Sequence, residues 1–279
     1  MITTKQKWIA TAVFAACILL FTALSLFKPK QEAKLIYEDA QQLKGRKISG
    51  VTTKTPDSSA KIFLDSYFGV NFGQYLPFDD LDTALASLQN RKVSAVWVTD
   101  VSAKYYTRTG PYRALSPAET PGMGQERFEF AFAFRKRDTA FRDKTNEMIA
   151  NFKENGIIDR LYADYVEGRE QSARCSLKGN GSTIVVGITG TVPPLEIVDD
   201  KGNVSGMAVE LSKYLAAYID RKVKFVVLEN ETAFAALMAG KVDVIACYGT
   251  SENHSTEFPE YIMSDGYCTV KEYSLLVNK

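Results

Sequence analysis

The sequence predicts an α/β protein of two similar lobes with a cleft between them. Three observations carry this. First, two separated stretches repeat one pattern: Asp82-Thr83-Ala84-Leu85-Ala86-Ser87-Leu88 leads through Arg91-Lys92 into Val93–Val98, and Thr232–Met238 leads through Gly240-Lys241 into Val242–Ala246. Each reads as an amphipathic helix, a tight turn and a short buried strand. Second, strand and helix patterns alternate on both sides of a polar stretch rich in Gly and Ser after Val166. Third, Phe128, Phe130, Phe132 and Phe134 alternate with other residues, as on a strand with one aromatic face. Two α/β lobes normally enclose a cleft, so binding between them is the first functional expectation.

Composition narrows the class. The chain has 279 residues, 46% hydrophobic and 24% charged, enough for two lobes with their own cores. A net charge of +1 supplies no global basic field for nucleic acid. One histidine, His254, and four cysteines leave little for a metal site, so no metal or cofactor is expected. His254, among polar residues, reads as a surface residue.

Taken in order, residues 1–7 form a short N-terminus on the cytoplasmic side, and residues 8–27 are an uncharged apolar run of the length that spans hydrocarbon. Lys5 and Lys7 precede the run and Lys28 and Lys30 follow it, so charge alone does not orient it. A transmembrane anchor and a signal peptide both fit; Ala23-Leu24-Ser25 resembles a cleavage site, and Cys17 loosely suits a lipid-attachment site. Every variant exports the rest of the chain.

Residues 28–44 read as a polar connector. A strand at Ile48–Val51 follows, then a helix opened by Pro56-Asp57-Ser58-Ser59, a strand at Tyr75–Phe78, and the first repeated unit. Tyr105 and Tyr106 fall on the next helix, and three prolines mark Pro111–Gly124 as a loop. Helices at about Thr139–Glu154 and Ile157–Val166 follow the Phe stripe, which reads as lobe core. After the polar stretch come a strand Thr183–Ile188, a turn at Asp199–Asn203, a helix Met207–Ile219, a strand Val223–Leu228 and the second repeated unit. Tyr267–Val277 reads as extended. Cys247 and Cys268, at the ends of candidate strands, are candidates for a disulfide whose geometry the sequence leaves open.

From Thr183 onward the chain resembles the bacterial solute-binding proteins that serve polar amino-acid importers. The resemblance rests on Val186-Gly187-Ile188-Thr189-Gly190-Thr191-Val192-Pro193-Pro194-Leu195-Glu196, on Gly206–Leu211, on Gly240–Ile245 and on Ser264-Asp265-Gly266-Tyr267. Leu43–Ile48, Phe132–Lys136, Asn146–Ala150 and Asn155–Tyr162 resemble the rest of that family, in exchanged order. The resemblance implies a circularly permuted, two-lobed periplasmic-binding-protein-like fold of type II. It implies lobe 2 at 45–130, the C-terminal helices of lobe 1 at 131–168, a permutation linker at 169–182 and lobe 1 at 183–279. A rival arrangement pairs lobes between two chains as a swapped dimer.

The family holds an amino acid with an Arg on the α-carboxylate, an Asp on the amine and aromatic rings around the side chain. Here Tyr248–Glu257 contains no Arg or Lys, Val192 replaces one ring and Asn230 stands at the other. The family's Asp aligns with Thr99, with Asp100 adjacent. The implied ligand contacts are Thr52, Thr53 and Lys54 after the first front strand, together with Asp100, Thr191, Asn230, Tyr248, Gly249 and Thr250. Competing readings are a solvated Thr-rich loop, a helix cap at Asp100 and a Tyr248 that fills the pocket.

The resulting expectation is a single-pass membrane protein whose binding module faces the periplasm or exterior. It closes on a small polar solute, not a typical free amino acid, for an importer permease or an envelope signalling partner. A degenerate regulatory or interaction domain without a ligand is the alternative. No nucleophile–base pair or carboxylate pair stands out, so no catalysis is expected.

Overall fold

The computed structural model describes residues 36–51, 57–117, 128–169, 174–250 and 260–279. The apolar run 8–27 with Cys17, the residues Thr52, Thr53 and Lys54, and His254 lie outside the described residues. Among those described, no helix is long and apolar enough to cross a membrane.

The front half alternates β1 (Lys47–Val51), α1 (Asp57–Phe68), β2 (Gln74–Phe78), α2 (Leu81–Gln89), β3 (Ala95–Thr99), α3 (Asp100–Thr109) and β4 (Tyr112–Leu115). The chain continues through β5 (Phe128–Arg135), α4 (Thr139–Glu154), α5 (Ile157–Tyr165), β6 (Thr183–Ile188), β7 (Ile197–Val198) and β8 (Val204–Ser205). It ends with α6 (Met207–Tyr218), β9 (Lys222–Val227), α7 (Ala233–Met238), β10 (Val244–Thr250), β11 (Tyr261–Met263), β12 (Cys268–Val270) and β13 (Tyr273–Asn278).

Two mixed sheets organise these elements. The front sheet runs β2-β1-β3-β13-β4, with β1 parallel to β2 and β3, and β13 antiparallel to β3 and β4. The back sheet runs β11-β5-β10-β6-β9, with β12 beside β5. There β6 is parallel to β9 and β10, and β5 is antiparallel to β10.

Alternation decides which residues each face buries. Along β13, Leu275 and Val277 join the α1-side core with Leu64, Phe68 and Phe72. Leu276 points the other way, onto Leu85, Leu88, Val96 and Val98. In the back lobe the Phe stripe feeds one face: Phe130, Phe132 and Phe134 pack with Met148, Leu161, Ile188 and Leu211. Ala133 turns to the opposite face with Leu237, Val242 and Ile245. The period of two along each strand places these sets on opposite faces.

One assignment changes. The sequence reading carries 183–279 as one lobe, yet β13 completes the front sheet, between β3 and β4. Leu275, Leu276 and Val277 are all buried. A strand apolar on both faces requires a central position with neighbours at both edges, and the front sheet supplies it. The helices α4 and α5 share the core of β6 and α6, so the helices that precede 169–182 fold as one body with the segment that follows it.

The stretch 174–182 lies along the back lobe. Cys175 N donates to Glu210 Oε2 at 3.0 Å, Asn180 N to Asp220 Oδ1 at 2.9 Å, and Gly181 N to the Asp220 carbonyl at 2.9 Å. The thiols of Cys247 and Cys268 are free. Strand β5 runs between β10 and β12, which places the two cysteines roughly two strand spacings, 9–10 Å, apart. A disulfide needs a much closer approach.

Candidate functional site

Parallel strands present their carboxyl ends to one edge of an α/β sheet, where loops and helix starts converge. In the back lobe that edge holds the turn after β6. Its geometry centres on Glu196, which is fully buried. Oε2 of Glu196 accepts from Thr189 N at 2.9 Å, Thr189 Oγ1 at 2.8 Å and Gly190 N at 3.0 Å. The Oγ1 atoms of Thr189 and Thr191 lie 3.0 Å apart. Thr191 is thus held within the turn by its neighbour's hydroxyl. Burial pushes the Glu196 carboxyl up to about 7, against the lowering effect of its three donors.

On the front lobe, Asp100 opens α3, while the side chain of Thr99 caps that helix by accepting from Ser102 N at 3.3 Å. Asp100 itself is turned to the lobe crossing: its Oδ1 accepts from Lys271 N at 3.3 Å, and its own amide donates to the Glu272 carbonyl at 2.9 Å. Burial raises its carboxyl, and Lys104, 3.8 Å away, works against that. The helix cap expected at Asp100 falls instead to Thr99, and Asp100 forms a clasp that joins α3 to the segment between β12 and β13.

The same helix reaches the back lobe. Lys104 Nζ donates to Tyr162 Oη at 2.9 Å, and one turn later Arg108 donates to the Tyr165 carbonyl at 3.3 Å. Val101 is buried within the back-lobe core. Three residues of α3, at helical spacing, therefore bind the lobes together from the front side.

The remaining sequence candidates scatter. The ring of Tyr248 packs edge-on against Phe234 at 4.6 Å and near Tyr261 at 6.2 Å, on the α7 face of the back sheet. A one-residue bulge between Ile245 and Tyr248 turns it there, while Ala246 and Cys247 feed the other core. Asn230 is exposed in a 3-10 turn before α7. Gly249 lies against the ring of Phe128, and Thr250 pairs with Glu129 in the sheet.

A cavity of about 390 Å³ lies between the lobes, beside the Thr189–Leu195 turn. The front lobe lines it with Asp80, Asp82, Tyr105, Tyr106 and Tyr112; the back lobe adds Gly190, Pro193 and Ile197. Among the described residues, no Lys, Arg or His lines it. Burial raises the Asp82 carboxyl, and the charges of Asp80 and Asp200 raise it further. Gln89 Nε2 donates to Tyr112 Oη at 2.6 Å, fixing one ring of the wall. A second groove of about 630 Å³ opens next to it, where Arg108, Arg174 and Lys213 mix with Asp164 and Glu210. Sequence reasoning missed both spaces. Paired tyrosines on α3 and the acidic start of α2 were visible, but only contact between the lobes makes walls of them.

Residues 184–279 match the family model of bacterial extracellular solute-binding proteins, family 3. No curated protein matches the chain. Among solved structures, a double mutant of the BvgS VFT2 domain of Bordetella pertussis aligns at 11% identity, over 84% of this chain and 80% of that one, with a TM-score of 0.45. A mutant of arginine-bound ArgBP from T. maritima aligns at 18% identity over 84% and 88%, with a TM-score of 0.44. An ancestral arginine-binding protein bound to arginine aligns at 14% identity over 85% and 86%, with a TM-score of 0.44. The rear third of this chain carries the solute-binding family's pattern, and the architecture is two-lobed α/β with mixed sheets.

Proposed function

We propose that this chain is a membrane-anchored, extracytoplasmic solute-binding module whose lobes close on a small polar solute. The cavity between the lobes carries the reading, because it is walled from both sides and so changes when the lobes move. Binding free energy then selects the closed form. The importer or sensory partner belongs to the same proposal, as does the anchor at 8–27. The family match over 184–279 supports the role. So does the order of the segments: α4 and α5 come before β6 in sequence yet share its core, as a permuted chain joined through 169–182 requires.

The solute is not a free α-amino acid in this proposal. An α-carboxylate calls for a basic partner, and the described residues of the cavity wall include none. Carboxylates and tyrosine rings suit donors and polar groups instead.

A thermal-shift screen of the full chain against amino acids, sugars, organic acids, amines and peptides tests the reading. A ligand at a hundred times its Kd adds about 2.7 kcal/mol to stability, a readily measured rise in Tm. A hit among non-amino-acid solutes supports the proposal. Silence across all classes overturns it and favours the second reading, a regulatory or interaction domain. One observation favours that alternative: Asp100, an expected ligand contact, is committed to the hinge backbone.

A further inference from the structure

We infer that Glu196 is a positioning residue for the cleft-facing turn Thr189–Leu195, and that its protonation sets whether this turn stays closed. The inference names a control on the site of the proposed function and rests on that reading only for its consequence.

The turn has one fixed end and one conditional end. At the fixed end, Met207 N donates to the Pro194 carbonyl at 3.1 Å and Ala208 N to the Leu195 carbonyl at 2.9 Å. These are free amides at the start of α6, so the turn's carbonyls satisfy donors the helix leaves open. At the conditional end, both turn amides and the Thr189 hydroxyl converge on one oxygen, Oε2 of Glu196. Gly190 at the conditional end and Pro193 beside the fixed end are part of the back-lobe wall of the interlobe cavity.

The other carboxyl oxygen, Oε1, is buried and has no hydrogen-bond partner. The titratable groups coupled electrostatically to Glu196 are the Cys247 thiol on β10 and the Tyr267 hydroxyl beside β12. Burial pushes both well above their ordinary values, so both stay neutral near pH 7 and add no second negative charge beside the carboxyl. Tyr267 Oη already donates to the Ala246 carbonyl at 2.9 Å.

This asymmetry has a chemical consequence. The neutral carboxyl holds its proton on Oε1 and keeps Oε2 as the shared acceptor. On ionisation, a buried anionic oxygen is left without a donor, which is costly in a low-dielectric site. Opening the turn lets water reach Oε1 and relieves that cost. The closed turn therefore takes up the proton more readily than the open one, and rising pH favours opening. The shift from an ordinary 4.5 to about 7 puts the change in the range where cells live. Because the turn walls the cavity, lobe closure and solute affinity weaken along with it.

Hydrogen–deuterium exchange on the full chain, without ligand, tests this at the peptide spanning 188–195. After correction for intrinsic rates, protection falls by up to about tenfold per pH unit between pH 5 and 7 and levels above 7. Glu196→Gln keeps an acceptor oxygen and cannot ionise, so its profile is flat. Thr189→Val removes one donor to the anion and moves the levelling point to higher pH. A flat wild-type profile, or an equal slope in Glu196→Gln, overturns the inference. Should Glu196→Gln fail to fold, an unmoved levelling point in Thr189→Val overturns it. A titrating turn together with a silent ligand screen leaves this inference standing and sinks only the solute-binding reading.

Discussion

In the front lobe, the repeated unit begins with a nine-residue helix, α2, capped by Asp80, whose carboxylate accepts from Thr83 N at 2.7 Å. In the back lobe, the matching helix, α7, has six residues and no side-chain cap, and a 3-10 turn leads into it. Both then turn through a left-handed residue: Arg91 with φ of 57° in front, Gly240 with φ of 72° behind. Both feed a strand paired on both sides, β3 in front and β10 behind. The front lobe combines a strong helix start with a strained turn; the back lobe does the reverse. The strands pack alike because the cores around them, not the local signals, hold the units in place.

The comparison can be broken most severely at the strand that crosses it. Leu276 is fully buried in the front core although β13 is the last strand of the chain. Leu276→Ala is expected to cost about 3 kcal/mol in urea unfolding. An effect under about 1 kcal/mol would mean that the front sheet does not depend on β13.

The next largest effect separates the lobes by pH. Glu196 has a raised carboxyl, so its contribution is full below about 4.5 and is lost as pH rises through about 7. By linkage this amounts to roughly 3 kcal/mol at most. Urea midpoints at pH 5 and pH 8 measure it, and Glu196→Gln removes this part of the slope.

Exchanging the turn residues sharpens the contrast at about 1–2 kcal/mol. Arg91→Gly relieves a left-handed side chain and raises Tm; Gly240→Arg imposes one and lowers it. Two changes of the same sign would show that side-chain contacts outweigh backbone strain at these turns. The smallest expected effect is the cap: Asp80→Ala costs about 1 kcal/mol by thermal unfolding, whereas Thr232→Ala is neutral.

Much of this comparison was legible in advance. The helix-to-strand repeat, the Phe stripe and the Asp199–Asn203 turn follow from periods of 3.6 and 2 and from turn chemistry, which are local. Asp199 Oδ1 does accept from Lys201 N and Asn203 N, at 2.9 and 2.8 Å. The site was far less legible. The sequence leaves Tyr248 open as a contact or a plug of the pocket, and a single bulge turns its ring onto Phe234. Register of that kind depends on the partner strand, which a linear pattern does not contain.

By itself the sequence determined two α/β lobes, the faces their strands bury and the absence of a basic clamp after Tyr248, because each depends on neighbours a few residues away. Only the tertiary structure decided that β13 joins the front sheet, that Asp100 clasps the segment between β12 and β13, and that Asp82 and Tyr106 wall a space with Pro193. Those outcomes depend on groups far apart along the chain, where pairing edges, burial and the meeting of two surfaces set the result.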